Sequence, residues 1–273
     1  MEPIRIETAD DPRVADFGDV PDPVLVRQRG RFVAEGRFVV RRLLSNPRYE
    51  IRALLVTDTA FGALADELTA AHHQTPVYIT SRSVIRQIGG YDFHQGCLGL
   101  AERPQPVDVH ALLSNVTPMR PILILEKVGN PDNMGAIFRN AAALGAAAVL
   151  LSPGCVDPLY RKAIRTSIGA TLHVPYAVVH DWPGGLAQAR ERGYQLVALT
   201  PDATATRLDR YALPRPGGVA LLLGNEGDGL TQAALSGADV RLRIPVDPPV
   251  DSLNVATAAA LALQQLRVLS EAD

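Results

Sequence analysis

Three short polar stretches, far apart in the chain, carry residue types that could form one active site. They are residues 133–139, residues 223–230 and residues 244–255. Each lies where an apolar, strand-like run meets a helix-like run, and open α/β sheets bind ligands at this junction. Amides, hydroxyls and glycines stand where a core would need apolar side chains. The sequence therefore predicts a polar pocket lined by backbone, with one arginine and one glutamate as its ionisable groups.

The first stretch begins with Asn133 and ends with Arg139. Asn133 is predicted to cap a helix over 133–144, because a capping side-chain oxygen accepts a backbone N–H. Arg139 falls off the apolar stripe of that helix and is expected to face the carboxyl edge of the sheet or a partner. For either residue taken alone, the alternatives are an ordinary helix cap and a surface charge.

The second stretch is rich in glycine, with the spacing G-x-x-G-x-G from Gly224 to Gly229. A dinucleotide-binding loop requires G-x-G-x-x-G and an acidic residue about 20 residues later, at the end of the next strand. Asp239 and Asp247 fit that position imperfectly. This spacing disfavours a nicotinamide or flavin oxidoreductase. Glycines here would let the main chain approach a flat ligand, and a tight strand-to-helix turn is the plain structural alternative.

The third stretch places prolines after a strand and polar side chains at the start of a helix. Pro245, Pro248 and Pro249 stiffen a loop that could wrap a ligand. Ser252 and Asn254 could cap the following helix or present a hydroxyl and an amide to a substrate.

Strands and helices alternate from residue 119 onward. Strands are predicted over 122–126, 147–151, 195–200, 219–224 and 240–244, and helices over 133–144, 160–168, 182–192 and 252–269. This alternation indicates a mostly parallel sheet with helices on both faces. The last helix is apolar on almost every side, which is typical of burial in a core or against a second subunit.

A smaller α/β/α domain is predicted to precede it, over 21–104. Residues 1–20 lack periodicity and are predicted to be a flexible tail, and residues 105–118 are predicted to be a linker. Within the domain, helices are predicted over 32–44, 59–71 and 81–88, and strands over 51–56, 77–80 and 97–101.

Composition limits the function classes. The 273 residues are 47% hydrophobic with a net charge of −2, and this balance weakly opposes a nucleic-acid binder. Eight arginines between Arg27 and Arg52 nevertheless form a cluster that could contact phosphate, with a solvated surface as the equal alternative. The cysteines and histidines lack ligand spacing, so no metal site is expected. No apolar run reaches the length of a membrane span, and a cytoplasmic protein is expected.

The three stretches together resemble the motifs of a known family. They are similar to the motifs of the SpoU (TrmH) family in the SPOUT superfamily. The matching patterns are N-x-G-x-x-x-R at 133–139, L-G-N-E-G-x-G-L at 223–230, and I-P-V followed by S-L-N-V within 244–255. That family comprises S-adenosyl-L-methionine-dependent RNA 2′-O-ribose methyltransferases. The similarity extends in order over residues 119–273. Residues 91–96 resemble, more weakly, the segment that closes the family's ribosomal-protein-like substrate-binding domain.

This resemblance implies a C-terminal trefoil-knotted α/β methyltransferase domain with a parallel sheet, preceded by a small α/β/α substrate-binding domain. It also implies a homodimer that acts on RNA, with ribosomal RNA favoured over transfer RNA. The catalytic positions it implies are Asn133, Arg139, Glu226, Ser252 and Asn254. The positions implied to hold S-adenosyl-L-methionine are Thr200, Leu223, Gly224, Gly227, Ile244, Val246 and Leu253.

In this interpretation Arg139 stabilises the target 2′-hydroxyl as it loses its proton, from the partner subunit. A guanidinium stays protonated in proteins, so Arg139 is not expected to be the base, and the base stays open between Glu226 and water. A transfer RNA methyltransferase and a catalytically silent RNA-binding protein of the same fold are the alternatives. The intact set of five catalytic positions argues against the silent protein.

Overall fold

The computed structural model describes residues 2–18, 20–70, 74–89, 96–213 and 217–271. The chain divides into two compact units. The first comprises Met1–Gln105 and Pro158–Leu172, and the second comprises Pro106–Asp157 and His173–Asp273.

The first unit is built on a five-stranded mixed sheet. Its strands are β1 (Ile4–Arg5), β2 (Arg31–Glu35), β3 (Ile51–Val56), β4 (Val77–Ile79) and β5 (Cys97–Glu102). Their order across the sheet is β1-β4-β3-β5-β2. The pairs β1–β4 and β3–β4 are parallel, whereas β5 runs antiparallel to both β3 and β2.

Short helices flank this sheet. They are α1 (Arg37–Leu44), α2 (Asp58–Ala63), α3 (Ala65–Ala70), α4 (Arg82–Gly89) and α7 (Arg161–Thr166), with 3-10 turns at Pro12–Phe17 and Ala170–Leu172 and a π-helical turn at Pro23–Gln28. Helix α7 comes from the later part of the chain and packs near β2 in this unit.

Two predictions for the N-terminal half were wrong. The predicted tail folds, since Ile4–Arg5 pairs with β4 and both Val14 and Phe17 are fully buried. The predicted helix over 32–44 is a strand followed by a helix, because Phe32, Val33 and Ala34 are buried where β2 pairs with β5. Pairing with a strand some 70 residues away overrides the local periodicity that suggested a helix. Residues 91–95 lie outside the described residues.

The second unit is built on a seven-stranded parallel sheet. Its strands are β6 (Ile122–Leu125), β7 (Ala148–Leu151), β8 (Tyr176–Val178), β9 (Tyr194–Leu199), β10 (Thr206–Arg207), β11 (Gly218–Leu223) and β12 (Val240–Arg243). Their order is β10-β12-β9-β11-β6-β7-β8, and every pair is parallel. The predicted mostly parallel α/β sheet is thus confirmed.

Helices cover this sheet, and strands β6, β7 and β11 are buried on both faces. The helices are α5 (Val109–Ser114), α6 (Pro131–Ala143), α8 (Ala187–Glu191), α9 (Gln232–Gly237) and α10 (Val255–Glu271), with 3-10 turns at Gly184–Leu186 and Leu208–Arg210. Every residue of β6, β7 and β11 is buried, as expected of parallel strands covered on both sides.

Two boundaries differ from the predicted domains. Residues 105–118 contain α5, whose Val109, Leu112 and Leu113 belong to the core of the second unit, so this stretch is not a linker. Residues 158–172 belong to the first unit although their neighbours in sequence belong to the second. Sequence periodicity cannot reveal this exchange, because it reports local structure only.

Strand order explains why distant stretches can meet. Strands β6, β9, β11 and β12 are parallel and adjacent, so their carboxyl ends lie at one edge of the sheet. The segments that follow these strands contain all three polar stretches. A ligand site at that edge is what an open parallel sheet predicts.

Candidate cofactor and substrate pocket

A cavity of about 980 Å³ lies at the carboxyl edge of the second unit's sheet. Eleven of the twelve site residues predicted from the sequence line it: Asn133, Thr200, Leu223, Gly224, Glu226, Gly227, Ile244, Val246, Ser252, Leu253 and Asn254. The three stretches therefore form one pocket, as their positions at strand ends predicted.

Three side chains from separate stretches form a continuous chain of hydrogen bonds. Asn133 donates from Nδ2 to Oε1 of Glu226 at 2.9 Å, and its Oδ1 accepts from Nδ2 of Asn254 at 2.8 Å. Asn254 in turn caps α10, since its Oδ1 accepts from the backbone N–H groups of Ala256 at 2.9 Å and Thr257 at 3.2 Å. Each amide is fixed from both ends, which holds Asn133 in one orientation.

The start of α6 explains the place of Asn133. Asn130 caps this helix, because its Oδ1 accepts from the backbone N–H of Asp132 at 2.8 Å, and Pro131 occupies the first helical position. The prediction that Asn133 is the cap was therefore wrong by one turn. Pro131 can stand at the first helical position because the N–H that it lacks would have no partner within the helix, and the cap is therefore the residue before it, Asn130. This shift leaves the Asn133 side chain available for Glu226 and Asn254.

Hydrogen bonds keep Glu226 in its carboxylate form. Partial burial raises the pKa of the Glu226 carboxyl, but hydrogen bonds from Asn133 and from the backbone N–H groups of Glu226, Asn130 and Gly129 outweigh it, and the net pKa lies below its ordinary value. A carboxylate with a lowered pKa is a poor proton acceptor at neutral pH. Glu226 is therefore better suited to orient Asn133 than to act as a base.

The glycine-rich loop folds back on the end of β11. Asn225 and Gly229 exchange backbone hydrogen bonds of 3.2 and 3.1 Å, and Asn225 Oδ1 accepts from the N–H groups of Gly227 and Asp228. A Cβ on Gly224 would lie 2.2 Å from the carbonyl carbon of Gly229. Only glycine fits at position 224, because backbone cannot give way as a flexible side chain could.

A buried carboxylate anchors the far end of that loop. Glu126 is fully buried after β6 and accepts hydrogen bonds from Trp182 Nε1 at 2.6 Å and from both the N–H and the hydroxyl of Thr231 at 2.8 Å. Thr231 also caps α9. Sequence reasoning missed Glu126 because it placed the residue at the end of a strand and gave it no role.

Arg139 is the predicted site residue that the cavity does not include. Its side chain is exposed on α6, and it follows Asn133 by six residues. At about 100° per residue, that separation turns Arg139 to a different face of the helix from Asn133. Arg139 of the same chain therefore does not supply the one arginine expected among the pocket's ionisable groups, and its action from a partner subunit stays a prediction.

The arginine that does line the cavity is Arg243, the last residue of β12. Its Nε atom is buried and has no hydrogen-bond partner within the part of the chain that the structure describes. Sequence reasoning missed Arg243, although it stands directly before Ile244 and Pro245 of the third stretch. The signal that could have identified Arg243 is its position, because it is a charged residue at the end of a strand-like run. The acidic lining residues Glu226, Asp228 and Asp251 were also more numerous than the single glutamate expected.

Most of the N-terminal arginine cluster is already paired. Arg29 and Arg31 contact Asp16, Arg41 contacts Glu67, and Arg52 contacts both Glu50 and Glu102. Arg42 donates to the carbonyl of Ile168. Arg27 lies over the ring of Tyr160 and Arg48 over that of Tyr49. The carboxylate contacts of Arg29, Arg31, Arg41 and Arg52 reduce the positive charge that the cluster can offer to a phosphate.

Both cysteines are free thiols in buried or partly buried positions. Burial raises the pKa of Cys97 to about 12 and raises that of Cys155 above its ordinary value. Thiols in this state are poor nucleophiles and poor metal ligands. Among the described residues, no group of three or more His, Cys, Asp or Glu side chains could hold a metal ion. No helix within the described ranges has the length and apolar character needed to cross a membrane.

The chain belongs to the SpoU rRNA Methylase family, whose model matches residues 120–264. An uncharacterised tRNA/rRNA methyltransferase of Mycobacterium tuberculosis is 42% identical over 262 residues, which are 94% of this chain and 88% of the relative. The 23S rRNA (guanosine(2553)-2′-O)-methyltransferase RlmP of Bacillus subtilis is 25% identical, with 96% of this chain and 99% of the relative covered. The family suggested by the three motifs is thus confirmed.

A solved structure matches the whole fold. The AdoMet-bound rRNA methyltransferase of Sinorhizobium meliloti has a TM-score of 0.79 at 25% sequence identity, with 97% of each chain covered. This similarity extends over both units, and it confirms that the parallel-sheet unit has the fold of this enzyme class.

Proposed function

We propose that this protein transfers a methyl group from S-adenosyl-L-methionine to a ribose 2′-hydroxyl of a structured RNA. The observation that carries the proposal is the chain of hydrogen bonds from Glu226 through Asn133 to Asn254, inside a cavity at the sheet's carboxyl edge. Relatives named as 23S rRNA 2′-O-methyltransferases support ribosomal RNA over transfer RNA as the substrate.

The residues present fit the cofactor. Gly224 brings backbone to the cavity wall where no Cβ could stand, which suits a flat adenine. Leu223, Ile244 and Leu253 supply apolar surface. Acidic side chains suit a ligand that carries a sulfonium and an ammonium. The volume of about 980 Å³ lies near the top of the range of about 300–1,000 Å³ for small-molecule sites, leaving room for a nucleotide as well.

When bound, S-adenosyl-L-methionine would supply an electrophilic methyl group and would leave as S-adenosyl-L-homocysteine, its methyl–sulfur bond being replaced by the new bond to the ribose oxygen. The protein's task is to place the oxygen in line, because positioning alone can contribute several kcal/mol to a transfer. We assign this to Asn133, whose amide is oriented by Glu226 and Asn254, and to Ser252, which lines the same cavity. Glu226 stays ionised and acts through Asn133. The hydroxyl proton then goes to water.

Arg139 would stabilise the oxygen as negative charge develops on it. Its guanidinium keeps its proton, so it acts as a hydrogen-bond donor and a charge. Because Arg139 lies outside the pocket of its own chain, we propose that it serves the pocket of a partner subunit. This places the active enzyme in a homodimer.

Features of α6 and α10 support the dimer. Both helices pack together, and Asn140 Nδ2 donates to the carbonyl of Ala256 at 2.8 Å. On α10, Leu261 and Val268 are 46% and 47% exposed. They lie seven residues apart and therefore on one helix face. The exposed face also carries Thr257 and Gln264, so it is mixed rather than apolar on all sides as the sequence suggested.

The finer architecture belongs to the same proposal. Strand β11 stands between β6 and β9, two strands that precede it in the chain, and this insertion supports the trefoil-knotted arrangement implied by the family. We propose that the first unit is the ribosomal-protein-like domain that binds RNA, and that the protein acts in the cytoplasm in ribosomal RNA processing.

A direct test is to map 2′-O-methyl groups in total RNA from cells with and without the gene. The proposal expects at least one ribosomal RNA site to lose its methyl group and to regain it with the wild-type chain but not with Asn133→Ala. If the methyl group is lost from a transfer RNA site instead, the substrate is transfer RNA. An unchanged methylation map, together with RNA binding by the purified protein, would identify the silent RNA-binding protein instead.

A further inference from the structure

Arg243 places a guanidinium in the cavity without a partner among the described residues. It lines the cavity at the end of β12, and its Nε atom is buried without a hydrogen bond. Within the described parts of the chain, no hydrogen bond or ion pair involves this side chain. A buried donor of a charged group is costly to leave unsatisfied, so a water, an ion or a ligand is expected to accept from it.

Strand geometry fixes the direction of Arg243. Leu242, the preceding residue, is fully buried on one face of the sheet. Alternation then puts Arg241 and Arg243 on the opposite face. Arg241 is exposed and satisfied, since its Nε and Nη2 donate to the carbonyl of Leu235 at 3.3 and 3.1 Å. Arg241 and Arg243 share one face of the strand, but of the two only Arg243 lines the cavity.

The charges around the cavity are unevenly distributed. Its described lining has three acidic side chains, Glu226, Asp228 and Asp251, and Arg243 is the one Arg or Lys in it. The proposed cofactor carries two positive groups, a sulfonium and an ammonium, and a single negative group, the carboxylate of its methionine part. The acidic side chains match the first two. A guanidinium binds a carboxylate through paired N–H donors in a matching plane.

We propose that Arg243 binds the carboxylate of the methionine part of S-adenosyl-L-methionine. The inference rests on the proposed function and deepens it by assigning a cofactor-recognition residue outside the three motifs. In this role Arg243 is a binding residue that takes no part in methyl transfer. It makes the pocket select the intact amino-acid end of the cofactor.

The experiment compares two ligands that differ only in this carboxylate. S-adenosyl-L-methionine and its decarboxylated form are titrated calorimetrically into the wild-type protein and into Arg243→Met, which keeps the length of the side chain but removes its charge and donors. Arg241→Met is the matched control, since it changes the same strand face outside the cavity. Circular dichroism and thermal unfolding report whether each variant is folded.

The wild-type protein is expected to bind the carboxylated ligand about 10- to 100-fold more tightly than the decarboxylated one, the range for a charged hydrogen bond. Arg243→Met should lose this preference and Arg241→Met should keep it. If Arg243→Met does not fold, the wild-type preference still decides, together with Arg243→Lys, which should keep part of it.

Equal binding of both ligands to the wild-type protein, or a preference that survives in Arg243→Met, would overturn the inference. So would a variant that keeps the preference but loses RNA affinity, because Arg243 would then contact an RNA phosphate. A wild-type protein that binds neither ligand would overturn the inference and the proposed function together. If the protein keeps the ligand preference but methylates no RNA, the result would contradict the proposed function and leave the inference about Arg243 standing.

Discussion

Asn133, Glu226 and Asn254 show how a site can be rigid although each of its side chains is polar and partly exposed. Glu226 accepts from Asn133, and Asn133 accepts from Asn254, which is tied to the first turn of α10. No member can rotate without breaking a bond to the next. A ribose oxygen that contacts Asn133 would therefore find its amide already held in one orientation. Methyl transfer needs this kind of preorganisation.

The state of Glu226 gives a pH prediction. Its folded pKa lies below the ordinary value of 4.5, so its ionised form stabilises the folded protein above that pH, and the contribution is lost as the pH falls through the folded pKa. Between about pH 5.5 and 8 the carboxylate does not titrate, and Glu226→Gln should lower the single-turnover rate by about tenfold without changing the shape of its pH profile.

The pH profile separates orientation from base catalysis in that variant. If Glu226 were the base, the loss would be about 10²- to 10⁴-fold, and the wild-type profile would contain a limb that the variant lacks. Cofactor affinity, measured by calorimetry in parallel, should stay close to wild type.

Arg139 tests the transfer step itself. Arg139→Ala should nearly abolish methylation with cofactor affinity unchanged, because the side chain lies outside the cofactor cavity of its own chain. Arg139→Lys should fail as well, since a single ammonium does not replace the planar set of guanidinium donors. Radiolabelled methyl transfer measures both. Activity above about a tenth of wild type in either variant, which is about 1.4 kcal/mol of barrier, would contradict the role.

At the scale of elements, the sequence predicted five of the seven parallel strands of the second unit and the pocket at their carboxyl ends. Continuous apolar runs such as Ile122–Leu125 and Gly218–Leu223 identify buried strands locally. It did not predict β2, since Phe32 and Val33 become a strand only by pairing with β5. Nor could it assign Arg243 to the cavity, because that depends on which face of the strand meets the pocket.

The arginine cluster of the first unit gives the next prediction. Arg27 and Arg48 are exposed and lie against tyrosine rings, whereas Arg52 is held by Glu50 and Glu102. The double variant Arg27→Gln with Arg48→Gln should weaken RNA binding and reduce the salt slope by about 0.7–0.9 for each lost phosphate contact. Filter binding at several salt concentrations measures this slope.

Arg52→Gln is the control for this pair, since its charge is already neutralised by two carboxylates. It should leave the slope unchanged. An unaltered slope in the double variant would show that the whole cluster is a solvated surface.

At the scale of the whole molecule, the position of Arg139 links catalysis to assembly. The cavity contains the proposed cofactor residues and the Asn133 network but not Arg139, so on the proposed role of Arg139 one chain alone would hold an incomplete site. A second chain completes it if α6 and α10 face each other across a two-fold axis, because a symmetric interface presents the same residues from both sides. Light scattering at the assay concentration should then give a dimer, and a monomer with full activity would contradict this arrangement.

Hybrid dimers test whether Arg139 acts across that interface. One parent is Arg139→Ala, which keeps an intact pocket. The other is Gly224→Ala, whose added Cβ would lie 2.2 Å from the Gly229 carbonyl carbon and so disrupt the cofactor loop while Arg139 is retained. Each parent should be inactive. A hybrid contains one complete site, formed by the pocket of the first chain and the Arg139 of the second. An equal mixture forms hybrids as about half of its dimers when exchange is random, so about a quarter of the wild-type activity should return. Native mass spectrometry verifies that hybrids form, and verified hybrids without activity would show that Arg139 serves its own chain.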